Sequence, residues 1–216
     1  MNTASRLPRH GLIFGFLGCL CLVSAGCAAA LGTGFYIFHG DEIDPPCKKL
    51  MKGKVAIVCR PHASASYQYG DVANQLARAL HNEIKPKLKK RQKVELISPH
   101  IIETHCDNME SGSDFLEIAE AVGADQVIAI DLHEYSHMGG TQLFQGRAYV
   151  SVTLMDVKTK DILYDAPDIN EFLFPANTKI QVSEQMEGRF QQEFIRQLAH
   201  HISKAFVPFS RWESKF

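Results

Sequence analysis

The chain has 216 residues, of which 45% are hydrophobic and 22% charged, and its formal net charge at pH 7 is −1. This length allows one domain with an N-terminal extension, and the apolar fraction is sufficient to build a buried core. A nearly balanced charge gives no electrostatic reason to expect nucleic acid as a partner, which usually needs a concentrated basic face.

The N-terminus has the pattern of an export signal. Residues 1–10 contain Arg6 and Arg9 and no acid, and residues 11–38 contain no charged side chain. The apolar run leads into Ser24-Ala25-Gly26-Cys27, which resembles the bacterial lipobox, although a lipobox usually has Leu where this chain has Ser24. The resemblance implies that residues 1–26 are a lipoprotein signal peptide and that Cys27 carries fatty acyl chains such as palmitate, which anchor it in a membrane.

A single-pass transmembrane anchor is the alternative interpretation of the same segment, and it would make the protein a transmembrane structural subunit. The 28 residues from 11 to 38 exceed the roughly 20 that cross a bilayer, and Arg6 and Arg9 would keep the N-terminus in the cytoplasm. Both hypotheses place the rest of the chain outside the cytoplasm, in the periplasm or facing the exterior. The sequence does not distinguish an inner from an outer membrane.

Three cysteines follow the proposed lipid site, namely Cys47, Cys59 and Cys106. An odd number without close pairing is not typical of a disulfide framework. The spacing allows a Cys47–Cys59 bridge, but Cys59 ends an apolar run and is better explained as a buried thiol.

We predict a membrane-proximal tether over residues 27–53, an α/β domain over 54–207 and a C-terminal tail over 208–216. Hydrophobic periodicity predicts the order β-α-β-α-β-β-β-α, a single domain with a mixed sheet flanked by helices. The elements, in chain order, are a strand over 55–59, a helix from a cap at Asp71 to Pro86, a strand over 94–97, a short helical piece from Pro99 to Cys106, a helix after Asp114 that stops at Gly123, a strand over 126–132, a strand over 148–154 joined by a turn at 158–161 to a strand over 162–164, and a helix over 183–206.

Three stretches resemble the superfamily of the TolB amino-terminal domain. They are Val55-Ala-Ile-Val58, the segment 119–128 and the segment 152–160. This superfamily includes the curli-secretion lipoprotein and the lipoprotein activators of penicillin-binding proteins. The resemblance implies non-enzymatic docking onto envelope machinery or assembly into a ring. The matching positions are core and turn residues, so they indicate the fold more than the function.

A nucleophilic site at the sheet edge is the enzymatic alternative. Cys59 ends the first predicted strand, Asp131 follows the apolar run 126–130, and His133 lies two residues after Asp131. A Cys–His–Asp set could therefore assemble at the carboxyl edge of the sheet. No nucleophile elbow or oxyanion loop accompanies it, so we assign no catalytic residue.

Two histidine pairs have spacings found in metal sites, but neither pair has the other features that such a site needs. His133 and His137 have the spacing His-x-x-x-His, but on a strand such a pair is separated by about 13 Å, and we interpret both as surface loop residues. No third ligand accompanies His200 and His201. We therefore predict no metal site. Because the sequence has no nucleotide-binding motif, we also predict no cofactor.

Two further clusters have two interpretations each. Six basic residues between Lys85 and Lys93 either contact anionic lipids or form a solvated helix end. Phe206, Phe209, Trp212 and Phe216 either form a docking patch or close the core. We conclude that the sequence predicts an envelope lipoprotein, acting as a non-enzymatic accessory or assembly factor, with envelope proteins, membrane lipid and self-association as its expected contacts.

Overall fold

The computed structural model describes residues 42–47, 51–62, 66–88, 93–109, 113–140, 143–166, 170–176, 178–181 and 186–210. The predicted signal peptide, Cys27, most of the predicted tether, Trp212 and Phe216 lie outside these ranges. The chain divides into two compact units, residues 44–209 and residues 1–43 with 210–216. In the second unit only residues 42–43 and 210 are described.

None of the helices in the described ranges has both the length and the apolar character that a bilayer-spanning segment requires.

The larger unit is an α/β domain with a mixed sheet flanked by four helices, which confirms the predicted fold class. Its strands are β2 (Gly53–Pro61), β3 (Val94–Leu96), β4 (Gln126–Gly140), β5 (Leu143–Asp156), β6 (Ile162–Asp165), β7 (Glu171–Phe174) and β8 (Ile180–Gln181). Strand β1 (Glu42–Ile43) belongs to the smaller unit, and β9 (Phe209–Ser210) lies at the boundary between the two units. The helices are α1 (Ser66–Leu88), α2 (Pro99–Asn108), α3 (Phe115–Ala121) and α4 (Glu187–Ser203).

The sheet is parallel on one side and antiparallel on the other. Its order is β3-β2-β4-β5-β6, and β7 and β8 also pair with β5. β2 runs parallel to β3 and β4, whereas β5 is antiparallel to β4, β6, β7 and β8. The helical crossover from β2 to β3 and the hairpin from β4 to β5 follow from this arrangement, since parallel neighbours need a long connection and antiparallel ones do not.

The side chains of β2 alternate between two hydrophobic clusters on opposite faces of the sheet. Val55, Ile57 and Cys59 belong to the larger cluster, with residues of α1 and α4, on what we call the inner face. Ala56 and Val58 belong to a smaller cluster, with residues of α2 and α3, on the outer face. The strict alternation is the period of two that a strand imposes.

Helix α1 is longer than predicted at both ends. It begins at Ser66, so Asp71 lies inside the helix and does not cap it, and it continues through Pro86 to Leu88. A proline this close to the helix end removes one backbone hydrogen bond. Leu80 and Ile84, in the turns just before Pro86, are fully buried and pack in the core. This packing explains why the helix continues past Pro86.

Helix α4 is shorter than predicted, spanning Glu187–Ser203. Met186, which we expected on its apolar stripe, is 50% exposed, whereas Phe190, Phe194, Leu198, Ile202 and Phe206 are buried. The N-terminus of α3 matches its prediction closely. Asp114 and Glu117 form a reciprocal capping box there.

The packed core begins upstream of residue 54. Cys47 is fully buried and Met51 nearly so, and both belong to the inner-face cluster. The backbone N–H of Cys47 donates to the carbonyl of Ala205 at 3.1 Å. The segment before β2 is therefore tied to the turn that follows α4.

Candidate functional site

A patch of polar side chains occupies the outer face beyond the area covered by α2 and α3. We call this set the outer polar patch: Arg60, His62, Asp131, His133, Glu134, Arg147, Tyr149, Ser151 and Glu171. Strand pairing assembles it, because Arg60 lies opposite Asp131 in β2 and β4, Asp131 opposite Ser151, and Glu134 opposite Tyr149 in β4 and β5. All of these side chains are exposed or half-buried.

Three members of the patch bring metal-type donor atoms together. One donor atom each from His62, Asp131 and His133 lies within 4.8 Å of the other two. His62 Nδ1 is 3.5 Å from Asp131 Oδ2, and the two imidazole rings are 5.2 Å apart between centroids. The parallel pairing of β2 and β4 creates this proximity, since the carboxyl ends of both strands reach the same edge.

A β-bulge in β4 changes which face of the sheet its later residues occupy. The register with β5 shifts between Leu132 and Glu134, so that His133 and Glu134 both lie on the outer face. His133 Nε2 shares a 2.7 Å hydrogen bond with Ser151 Oγ, on the outer face of β5. His133 shares its face with Asp131 by the ordinary alternation of a strand, and the bulge adds Glu134 to that face and turns Tyr135 and His137 to the inner face.

His137 lies on the opposite face from His133. Its Nε2 is 2.8 Å from Glu187 Oε1 at the start of α4, and its ring stacks on Phe144. Our interpretation of His133 and His137 as loop residues is therefore wrong, because both belong to β4. His133 and His137 still cannot share one metal ion, because they lie on opposite faces of the sheet.

Cys59 lies on the inner face of the sheet, whereas Asp131 and His133 lie on the outer face. It is 7% exposed, and burial, reinforced by the charge of Asp131, raises the pKa of its thiol far above the ordinary value. A buried thiol held in its protonated form is a poor nucleophile. The structure therefore does not assemble the Cys59–His133–Asp131 set that the enzymatic alternative requires.

The described cysteines are all free thiols. The Cys47–Cys59 bridge that the sequence allowed is absent, and the buried thiol predicted for Cys59 is confirmed. Burial raises the pKa of Cys47 to about 12. Cys106 on α2 lines a shallow crevice next to Cys59, and its pKa is also raised by burial, while the charge of Arg60 acts to lower it.

The remaining sequence candidates are dispersed. His200 Nδ1 is 3.3 Å from Glu83 Oε2, whereas His201 packs on the ring of Phe172. Lys85 and Lys87 lie in the last turn of α1, and the basic residues from 89 to 92 fall outside the described ranges. Of the C-terminal aromatics, Phe206 is buried and Phe209 is half-buried with Lys204 Nζ 5.7 Å from its ring centroid.

His62 is the residue of this group that the sequence did not single out. It directly follows β2, and its backbone N–H donates to the carbonyl of Leu132 at 2.9 Å, which aligns the two strand ends. The signal available in the sequence was that His62 and Asp131 each come shortly after an apolar, strand-forming run. Recognising their proximity requires knowing that β2 and β4 are neighbours.

No protein-family model matches the chain, and no curated protein matches it significantly. Several solved structures have a similar fold. A PelC dodecamer from Paraburkholderia phytofirmans has a TM-score of 0.42 and 11% identity, covering 77% of this chain and 95% of that one. A lipoprotein from Neisseria meningitidis has a TM-score of 0.35 and 14% identity, covering 68% of this chain and 98% of its own.

TolB from Acinetobacter baumannii has a TM-score of 0.29 and 15% identity, covering 76% of this chain and 29% of TolB. These values describe a coarse likeness of fold alone, to bacterial lipoproteins and to part of TolB among others.

Proposed function

We propose that this protein is a lipoprotein of the bacterial cell envelope, anchored through acylated Cys27, whose α/β domain acts without catalysis by binding another envelope protein. The basic start, the apolar run and the small residues before Cys27 support the anchor. A diacylated cysteine, unlike a single acyl chain, holds a protein stably on a membrane.

The early start of the core keeps the domain near the proposed anchor. Because Cys47 is already buried, about 19 residues (28 to 46) separate it from Cys27, and they reach roughly 65 Å at most when fully extended. A domain held at this distance meets partners in or close to the same membrane. It is poorly suited to reach across a wide compartment.

The outer polar patch is the observation that carries the binding proposal. Apart from His62, which directly follows β2, its residues come from four strands. They include both signs of charge, with Arg60 and Arg147 beside Asp131, Glu134 and Glu171. An exposed sheet face with mixed charges suits a polar interface between proteins, in which complementary charges set orientation and partner choice. The separation of Cys59 from Asp131 and His133 argues against the enzymatic alternative.

Site-specific photo-crosslinking in cells tests the proposal. A photoreactive phenylalanine analogue replaces Tyr149 at the centre of the patch in the full-length protein. The matched control replaces Gln192, which is exposed on α4 at the other face. We expect one defined envelope protein to be captured from position 149 and not from position 192.

Equal capture from both positions, or none from position 149, contradicts the proposal. Crosslinks from position 149 to a second copy of the chain alone would identify self-association as the activity of this face, in place of an accessory role.

A further inference from the structure

The His62–Asp131–His133 group has the composition of a site for a divalent transition metal. Two imidazoles and one carboxylate are a ligand set that Zn²⁺ and its neighbours in the first transition row accept. Ca²⁺ and Mg²⁺ prefer sites made of oxygen atoms alone. We propose that His62, Asp131 and His133 bind one divalent transition-metal ion of the Zn²⁺ type on the outer face of the sheet.

The spacing of the donors requires only small side-chain rotations. The three atoms lie within 4.8 Å of one another, and ligands around tetrahedral zinc are separated by roughly 3.4 Å, given bonds of about 2.1 Å. His62 Nδ1 and Asp131 Oδ2 are already 3.5 Å apart. His62 has room to move, because its side chain is 52% exposed.

The backbone and a neighbouring hydroxyl hold the ligands in place. The β2–β4 pairing sets Asp131 beside the strand end that carries His62. The hydrogen bond between His133 Nε2 and Ser151 Oγ orients the His133 ring, and an ion bound through Nδ1 would leave this bond in place. Such an outer partner for a ligating histidine is a common feature of metal sites, because it fixes the tautomer and the ring direction.

The electrostatics of the group suit a cation. With neutral histidines the three side chains carry one negative charge, that of Asp131. Arg60, the strand partner of Asp131 on the same face, opposes a bound cation, and its charge also acts on the Cys106 thiol of α2. Three protein ligands leave a fourth position for water or for a donor from a binding partner, since the site opens to solvent.

Titration of the purified full-length protein in detergent, without a histidine tag, tests this site. Co²⁺ is added first, because its visible absorption reports tetrahedral coordination, and Zn²⁺ is then used to displace it. The variants are His62→Gln, Asp131→Asn and His133→Gln. The matched control is His137→Gln, which lies four residues from His133 in the same strand but on the inner face.

We expect one equivalent of metal to bind the wild type. Each of the three variants should weaken binding by at least about tenfold, and Ser151→Ala by on the order of tenfold, since it removes an outer partner. His137→Gln should bind like the wild type. Melting curves show whether each variant is folded, and Ser151→Ala tests the site without altering a ligand.

No binding by the wild type overturns the proposal. Unchanged binding in the three variants, or an equal loss in His137→Gln, also overturns it. The site does not depend on the proposed function, because the titration uses no partner protein and gives its answer whether or not crosslinking finds one.

Discussion

Replacing Gly146 by alanine tests the packing between β5 and α4. Gly146 is on the inner face, and a Cβ added there would lie 2.5 Å from Cγ and 2.6 Å from Cε2 of Phe194. Phe194 is fully buried and its ring packs between Tyr135 and Phe172, with centroids 5.2 and 6.0 Å away. The buried ring can therefore yield to the new methyl group only by displacing other core side chains.

The expected cost follows from this geometry. Overpacking a core typically costs 1–3 kcal/mol, and the confined ring places Gly146→Ala at about 3 kcal/mol by the same principle. For a chain of this size that corresponds to a melting temperature lower by roughly 6–12 °C. Thermal unfolding followed by circular dichroism measures the shift.

Two further variants make the test specific. Gly188→Ala, in the first turn of α4 with nothing within 4 Å of an added Cβ, should stabilise the protein by up to about 1 kcal/mol. The double variant Gly146→Ala/Phe194→Leu should be less destabilised than the sum of its single variants by about 1 kcal/mol. A melting temperature for Gly146→Ala within about 2 °C of the wild-type value would refute the proposed packing.

Three other predictions concern the cap of α3, the buried histidines and the thiols. Asp114→Ala removes the capping box and should destabilise the protein by about 1 kcal/mol in denaturant titrations, whereas Glu117→Gln should retain most of the cap; equal losses would contradict this. Burial lowers the pKa of His81 and His201, so protonation favours the unfolded chain, and the free energy of unfolding should fall as pH decreases below about 6.5. The variant His81→Gln/His201→Gln should flatten that slope, and an unchanged slope would assign it to other groups. Iodoacetamide should modify Cys59 and Cys47 more slowly than the half-buried Cys106, by about tenfold or more at pH 8. Peptide mass mapping measures the rates, and equal rates would show that Cys59 is accessible.

Local patterns predicted the elements whose residues repeat regularly. Alternation of Val150, Val152 and Leu154 predicted β5, and Asp114 predicted the start of α3. The second half of β4 was not predictable in this way, because it is polar and a bulge interrupts the period of two. β7 and β8 are short strands whose one partner among the described strands is β5, so their formation depends on tertiary pairing more than on their own sequence.

The candidate site was predicted only in part. The sequence indicated that Asp131 follows a buried strand and so lies at the carboxyl edge of a sheet. It did not indicate that His62, 69 residues earlier, lies beside it, because strand order is a tertiary property. Nor did it reveal which face Cys59 occupies relative to Asp131, which depends on the register between β2 and β4.

The anchor at Cys27 is the central claim, because both the location and the proposed binding role depend on it. Mass spectrometry of the intact full-length protein, extracted from membranes with detergent, tests it most directly. We predict a chain that begins at Cys27 and carries the added mass of a diacylglyceryl group. A chain that keeps residues 1–26 without acyl mass would contradict the lipoprotein assignment and favour a transmembrane anchor.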